Sequence, residues 1–134
     1  AISLHAADDA TRAEIMPMAK RWTISEVLNA GRYDTEQTGR KVTIEYLLID
    51  GVNNSSQQAT KLAHLLDQWT GNVNIIPWNS VGNVPQFRSP STASVAEFQN
   101  RLQSLGIPTT VRKERGADIT AACGQLRRQH LDQS

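Results

Sequence analysis

The only cysteine of the chain, Cys123, lies close to a cluster of basic residues. Arg112, Lys113 and Arg115 precede it, and Asp118 can cap a short helix that carries the cysteine, because a carboxylate accepts hydrogen bonds from the first turn of a helix. Positive charge and a helix N-terminus both favour the thiolate, which is the nucleophilic form of cysteine. The pattern therefore makes Cys123 a candidate nucleophile. On chemistry alone, a lone cysteine is more often a small buried apolar residue, and this alternative stays open.

A second set of polar side chains follows three predicted strands. Ser3 and His5 end the first, Asp50 to Asn53 follow the second, and Asn79 follows the third. Functional groups of parallel α/β folds gather at the C-terminal ends of the strands, so we expect these residues to form the rim of one pocket. Taken singly, His5 is more often a structural histidine and Asn79 more often a turn residue.

Four stretches have the apolar character of buried strands: Ala1 to His5, Val42 to Ile49, Asn72 to Pro77, and Pro108 to Lys113. A nearly continuous apolar run is typical of parallel strands that are covered on both faces. Glu45 is the exception within the second run. Its carboxylate either points into a polar barrel lumen or lies at a strand edge, and a structural and a functional role are equally open.

Helices are predicted between the strands from capping residues and apolar spacing. Thr23 to Glu26 form a capping-box pattern, and Gly39 ends that helix. Asp8-Asp9 start a short helix, and the other predicted N-caps are Asn54 or Ser55, Ser89 before Pro90, and Asp118. The order of elements alternates strand and helix, which indicates an α/β fold with a mostly parallel sheet flanked by helices.

Length and composition fit one globular domain spanning residues 1–134. Hydrophobic residues make up 39% of the chain and charged residues 20%. No apolar run reaches the about 18 residues of a membrane helix, and the start has no signal-peptide pattern. A single cysteine excludes an internal disulfide and fits a reducing compartment, so we expect a cytoplasmic protein with no membrane partner.

Charge is unevenly distributed along the chain. Residues 1–84 carry seven Lys or Arg against nine Asp or Glu, whereas residues 85–128 carry seven against three. Because contacts of Lys and Arg to phosphate dominate nucleic-acid affinity, an RNA partner would meet the second half more readily. An ordinary solvated surface explains the same distribution.

Several motifs together resemble one family. Residues Arg115 to Leu126 read RGADITAACGQL, and they follow in order after Ser3-Leu4-His5-Ala6, after the strand that runs into Asp50-Gly51-Val52-Asn53, and after Asn74 to Asn79, NIIPWN. This ordered set, which covers nearly the whole chain, resembles the RlmN/Cfr family of radical-SAM enzymes that methylate adenosine in RNA.

The resemblance implies a fold, cofactors and a mechanism. The fold would be the second half of a radical-SAM partial (β/α) barrel. Ser3, Leu4, His5 and Asn79 match family residues that contact S-adenosylmethionine, and Cys123 matches the cysteine that carries the methyl group as S-methylcysteine. The substrate would be carbon 2 of adenosine in 23S rRNA, with tRNA as a further candidate. Methylation of carbon 8, as in Cfr, is the alternative.

The chain departs from the family in its cysteines. The family holds a [4Fe-4S] cluster through a CxxxCxxC motif, and one cysteine cannot supply those ligands. We therefore expect this chain to be the C-terminal half of a longer enzyme, inactive by itself, with no metal site of its own. Ser80 to Phe87, SVGNVPQF, also departs from the proline-rich run that is common in the family.

Two other classes of function remain open. The chain could be a binding module for S-adenosylmethionine or RNA without catalysis, or part of a radical enzyme that acts on small molecules or proteins. An uncovered edge of a truncated barrel also predicts self-association.

Overall fold

The computed structural model describes residues 1–16, 21–79 and 87–112, and its centre is a parallel β-sheet. The four strands are β1 (Ile2–Ser3), β2 (Ile44–Leu48), β3 (Val73–Pro77) and β4 (Thr109–Val111). They lie in the order β1-β2-β3-β4, and every neighbouring pair is parallel. Each new strand is therefore added beside the preceding one. Because all four strands are parallel, their C-terminal ends lie together along one border of the sheet, which we call the C-terminal edge.

Four helices connect the strands: α1 (Asp9–Ile15), α2 (Ile24–Thr38), α3 (Ser56–Leu65) and α4 (Thr92–Ser104). The capping box predicted for α2 is confirmed, since Thr23 and Glu26 exchange side-chain to backbone hydrogen bonds of 3.1 Å each. Gly39 ends α2 with φ of 71°, a left-handed conformation that glycine adopts without steric cost. Asp8 caps α1 and Ser55, rather than Asn54, caps α3.

The main hydrophobic core lies between the sheet and helices α2, α3 and α4. Ile44, Tyr46 and Leu48 of β2 point into it, because alternate residues of a strand share a face. The helices contribute residues at helical spacing, among them Leu28, Leu62 and Phe98.

The opposite face of the sheet, which we call the far face, carries the remaining side chains of each strand. Near the C-terminal edge it is apolar, and Leu47, Ile49, Ile76 and Trp78 pack there with Ile15 and Met16 from the end of α1. Further down the strands the far face is polar. The sequence prediction of strands covered on both faces therefore holds only for the upper part of the sheet.

The predicted α/β class with a parallel sheet is confirmed, and most boundaries differ by one or two residues. One helix start is wrong: α4 begins at Thr92 with Ser91 as N-cap, not with Ser89 before Pro90. Ser91 accepts a hydrogen bond from the backbone N–H of Ser94, while Arg88, next to Ser89, uses its carbonyl to bind the backbone N–H of Asp50. The predicted helix after Asp118 lies outside the described residues.

Candidate functional site at the carboxyl ends of the strands

The segment Ser3-Leu4-His5 leaves β1 at the C-terminal edge of the sheet. Leu4 still pairs with β2, donating its backbone N–H to the Glu45 carbonyl at 3.0 Å. His5 then turns the chain with φ of 63°, in the left-handed region that residues other than glycine rarely adopt. Such a conformation persists only where neighbouring contacts hold it, and those contacts are dense here.

The His5 side chain is buried, with 4% of its surface exposed. Its Nδ1 accepts a hydrogen bond of 2.8 Å from the backbone N–H of Leu47, so the proton of the neutral ring lies on Nε2. Burial, and to a lesser extent the positive charge of Arg12, lowers the pKa of His5 to about 4. The ring is therefore neutral near pH 7 and acts here as a fixed hydrogen-bonding group.

Asn53 fixes the same turn from the loop after β2. It is fully buried, and its Nδ2 donates to the carbonyls of His5 and Leu47 at 2.8 and 2.6 Å, while its Oδ1 accepts from the Ile49 N–H at 2.8 Å. The hydroxyl of Tyr46 donates to the Asn53 carbonyl at 2.9 Å, and burial raises the pKa of Tyr46, which keeps this hydroxyl protonated. The loop after β2 thus serves to hold the end of β1.

Arg12 of α1 holds the other side of this turn. Its guanidinium donates to the carbonyls of Leu4, Ser3 and Trp22 at 3.1, 3.3 and 3.1 Å, and only 5% of the residue is exposed. Burial lowers the pKa of Arg12, and the nearby Asp9 opposes that effect. Arg12 therefore ties β1, α1 and the segment before α2 together. No local sequence pattern predicts this role, because the partners of Arg12 lie 8 to 10 residues away along the chain.

A polar row crosses the far face just below this turn. Ser3 is in register with Glu45, Glu45 with Asn74, and Asn74 with Thr110, so the four side chains lie side by side on one face. Thr110 donates its hydroxyl to Asn74 Oδ1 at 3.2 Å, which confirms that the two side chains share that face.

Asn79 follows β3 at the same edge of the sheet. The preceding residue, Trp78, still pairs with β2 through a 2.9 Å hydrogen bond to the Leu48 carbonyl. Its indole packs edge-on against Phe87, with ring centroids 5.1 Å apart. The Trp78 Nε1–H is buried, and within the part of the chain that the structure describes it has no hydrogen-bond partner. A buried donor of this kind can bind an acceptor on a ligand.

The structure therefore brings together only some of the predicted cofactor-binding residues. Ser3 and His5 lie together at the end of β1. Leu4 turns its side chain into the main core, so only its backbone belongs to the site. Asn79 lies two strands away, about 10 Å across the sheet, at two interstrand spacings. The predicted catalytic residue Cys123 lies outside the described residues.

The groups at this edge are hydrogen-bond donors and acceptors rather than metal ligands. A neutral imidazole, polar groups on the far face and an unpartnered indole N–H can bind a nucleoside. Among residues 1–16, 21–79 and 87–112, no group of three or more His, Cys, Asp or Glu side chains could hold a metal ion. With one cysteine in the sequence, the chain does not fit a [4Fe-4S] cluster.

Two further findings lie away from this edge. A groove of about 800 Å³ runs between α2 and the edge strand β1, and Ile2, Trp22, Val27 and Val42 are among its lining residues. Since it lies away from the polar strand ends, it is not the candidate cofactor site. None of the helices in the described ranges combines the length and the apolar character that crossing a membrane requires.

Comparison with curated proteins finds many close relatives. The chain is 50% identical over 131 residues to a probable dual-specificity RNA methyltransferase RlmN of Alkaliphilus oremlandii, covering 98% of this chain and 38% of that protein. It is also 50% identical over 127 residues to the protein of the same name from Symbiobacterium thermophilum, covering 95% of this chain and 34% of the relative. The chain thus spans little more than a third of the length of these relatives. No family model matches.

Solved structures give the same result. The crystal structure of a radical SAM methyltransferase from Sphaerobacter thermophilus superposes with a TM-score of 0.84 at 46% identity, covering 92% of this chain and 36% of that one. A domain of pyruvate-formate lyase-activating enzyme from Bacteroides vulgatus shares the fold, with a TM-score of 0.65 at 16% identity.

Proposed function

The chain is a homologue of the C-terminal part of the RlmN radical SAM methyltransferases, and we propose that it supplies the S-adenosylmethionine-binding edge and the methyl-carrying cysteine of such an enzyme. The observation that carries this proposal is identity of 45–50% to RlmN proteins over 95–100% of the chain. The reaction we propose is methylation of carbon 2 of adenosine in 23S rRNA, with tRNA as a second substrate, in the cytoplasm.

The site at the strand ends would bind S-adenosylmethionine. Ser3, His5 and Asn79 offer polar side chains, and Leu4 offers its backbone at the same turn. His5 Nε2–H is a donor for an acceptor atom of the ligand, because Nδ1 is already engaged with Leu47. Arg12 and Asn53 are positioning residues, since each binds backbone carbonyls of this turn and holds it before any ligand arrives. A preformed turn lowers the entropy cost of binding.

Cys123 would carry the methyl group. Its thiolate would attack the methyl carbon of S-adenosylmethionine, so that the new carbon–sulfur bond would form as the sulfonium bond breaks and S-adenosylhomocysteine leaves. S-adenosylmethionine supplies the methyl group and, with an iron–sulfur cluster, the radical chemistry of the later steps. We propose that the cluster ligands come from the part of an RlmN-type protein that this chain does not cover. Among the basic residues of the second half, Arg88 and Arg112 lie near the C-terminal ends of β2 and β4 and would face the RNA.

A chimera tests this function. The C-terminal segment of the Alkaliphilus oremlandii RlmN that aligns with this chain is replaced by residues 1–134, and the chimera is expressed in cells that lack RlmN. We expect 2-methyladenosine in 23S rRNA, detected by mass spectrometry of digested RNA. The matched control is the same chimera with Cys123→Ala, for which we expect no methylated product.

Each other outcome points to a different function. The product 8-methyladenosine would assign the Cfr-like reaction and overturn the choice of carbon 2. RNA binding that Cys123→Ala leaves unchanged, without any methylated adenosine, would overturn the enzyme proposal in favour of a binding module. Methylation that survives Cys123→Ala would overturn the role of this cysteine.

A further inference from the structure

Glu45 occupies the middle of the polar row on the far face. It lies between Ser3 of β1 and Asn74 of β3, in register with both. Its neighbours Ile44 and Tyr46 point to the opposite face, into the main core. The Glu45 side chain therefore stands on the same face as that of Ser3, on a neighbouring strand about 5 Å away.

Four polar side chains near Glu45 are hydrogen-bonded to one another. Thr43 donates to Asn72 Oδ1 at 3.2 Å, Asn72 Nδ2 donates to Thr110 at 3.4 Å, and Thr110 donates to Asn74 Oδ1 at 3.2 Å. Within the three described ranges, no hydrogen bond or ion pair involves the Glu45 carboxylate. This carboxylate is half-buried all the same. Partial removal from water without a partner is unfavourable for a charged group, and the described part of the chain supplies no donor to this carboxylate.

We propose that Glu45 is a ligand-binding residue that accepts hydrogen bonds from the two ribose hydroxyls of S-adenosylmethionine. The inference rests on the proposed function, which brings this ligand to Ser3. A carboxylate has two oxygens that can accept from two adjacent hydroxyls, and in dinucleotide sites an acidic side chain binds the ribose 2′-hydroxyl. Glu45 thereby determines specificity for a ribonucleoside, and its position deep on the far face places the ribose below the turn at His5.

The test is a titration of the ¹⁵N-labelled 134-residue chain with S-adenosylhomocysteine, followed by NMR, which also detects weak binding. The 2′-deoxy analogue of S-adenosylhomocysteine is titrated in parallel. We expect the amides of Ser3, Glu45 and Asn74 to shift, and Glu45→Gln to weaken binding of S-adenosylhomocysteine roughly tenfold, the size expected for loss of hydrogen bonds to a charged group. The wild-type chain should bind the deoxy analogue more weakly than S-adenosylhomocysteine, by a similar factor. The Glu45→Gln variant should bind the deoxy analogue as well as the wild-type chain does.

The control is Glu97→Gln, on the exposed surface of α4, which should bind both ligands like the wild type. Equal affinity of Glu45→Gln and wild type for S-adenosylhomocysteine would overturn the inference and leave the proposed function standing. The same conclusion would follow if Glu45→Gln weakened binding of the deoxy analogue as much as it weakened binding of S-adenosylhomocysteine. If the wild-type chain shows no binding even at millimolar ligand, both the inference and the proposed cofactor site are wrong. The ¹⁵N spectrum of each variant shows whether it is folded.

Discussion

At the scale of single residues, the end of β1 is held by side chains whose charge state matters. His5 is neutral in the folded chain because a buried imidazolium would lose its hydration beside the Arg12 guanidinium. Its Nδ1 must also stay unprotonated to accept from the Leu47 N–H. Near pH 7 the folded turn therefore excludes protonation of His5.

This exclusion predicts a loss of stability in mild acid. In the unfolded chain His5 takes up a proton as pH falls below 6.5, whereas in the folded chain its pKa is about 4. The unfolded state thus binds more protons between these values, and the free energy of unfolding falls by roughly 3 kcal/mol as pH decreases from 6.5 to 4. Above pH 6.5 the contribution of His5 is fully present. Urea denaturation at a series of pH values measures it.

Two variants isolate the effect of His5. His5→Asn removes the titrating group, and asparagine tolerates the left-handed backbone better than most residues. The stability difference between the wild type and His5→Asn should shrink as pH falls. His64→Gln, on the exposed surface of α3, should follow the wild type throughout. Parallel curves for the wild type and His5→Asn would contradict the assignment of this pH dependence to His5.

At the scale of elements, Arg12 joins parts of the chain that share no sheet hydrogen bonds. Its three acceptors are carbonyls at the end of β1 and in the segment before α2. Replacement by methionine keeps much of the buried stem but removes all three donors. We expect Arg12→Met to lower the free energy of unfolding by about 3 kcal/mol, because buried carbonyls lose a charged partner.

The matched control for Arg12→Met is Arg101→Met on α4. Arg101 is exposed and donates to the Thr60 hydroxyl at 3.2 Å, so its loss should change stability by less than about 1 kcal/mol. Urea denaturation of the three proteins at pH 7 gives the comparison. Equal and small effects of the two substitutions would show that Arg12 does not hold these elements together.

The sequence predicted those features whose hydrogen-bonding partners lie only a few residues apart along the chain. Thr23 and Ser55 bind N–H groups three residues on, so short patterns identified both caps. Asn53 contacts the His5 carbonyl, 48 residues away, and no pattern near either residue shows that pairing. Glu45 stood out because it interrupts an apolar strand, but only the register across the sheet places it beside Ser3.

At the scale of the whole molecule, the sheet is a row of four strands, and among the described residues β1 and β4 are its two edge strands. β1 has two residues and pairs with β2, and no described strand lies on its other edge. The groove beside it is lined by apolar residues that include Trp22, of which 60% is exposed. The RlmN relatives are more than twice as long as the matched region, and we propose that part of their additional chain covers the edge of β1.

Without such a cover, the isolated chain should self-associate through the edge of β1. Unpaired backbone groups of an edge strand and exposed apolar side chains both favour pairing with a second copy. We expect the sedimentation coefficient to rise with concentration from the micromolar to the millimolar range. Trp22→Ser should weaken this association, because it removes apolar surface from the groove. Tyr33→Ser removes an equally exposed aromatic residue of α2 outside the groove lining, and should leave it unchanged. A strictly monomeric profile at the highest concentration would contradict the prediction, and equal effects of both substitutions would place the contact elsewhere.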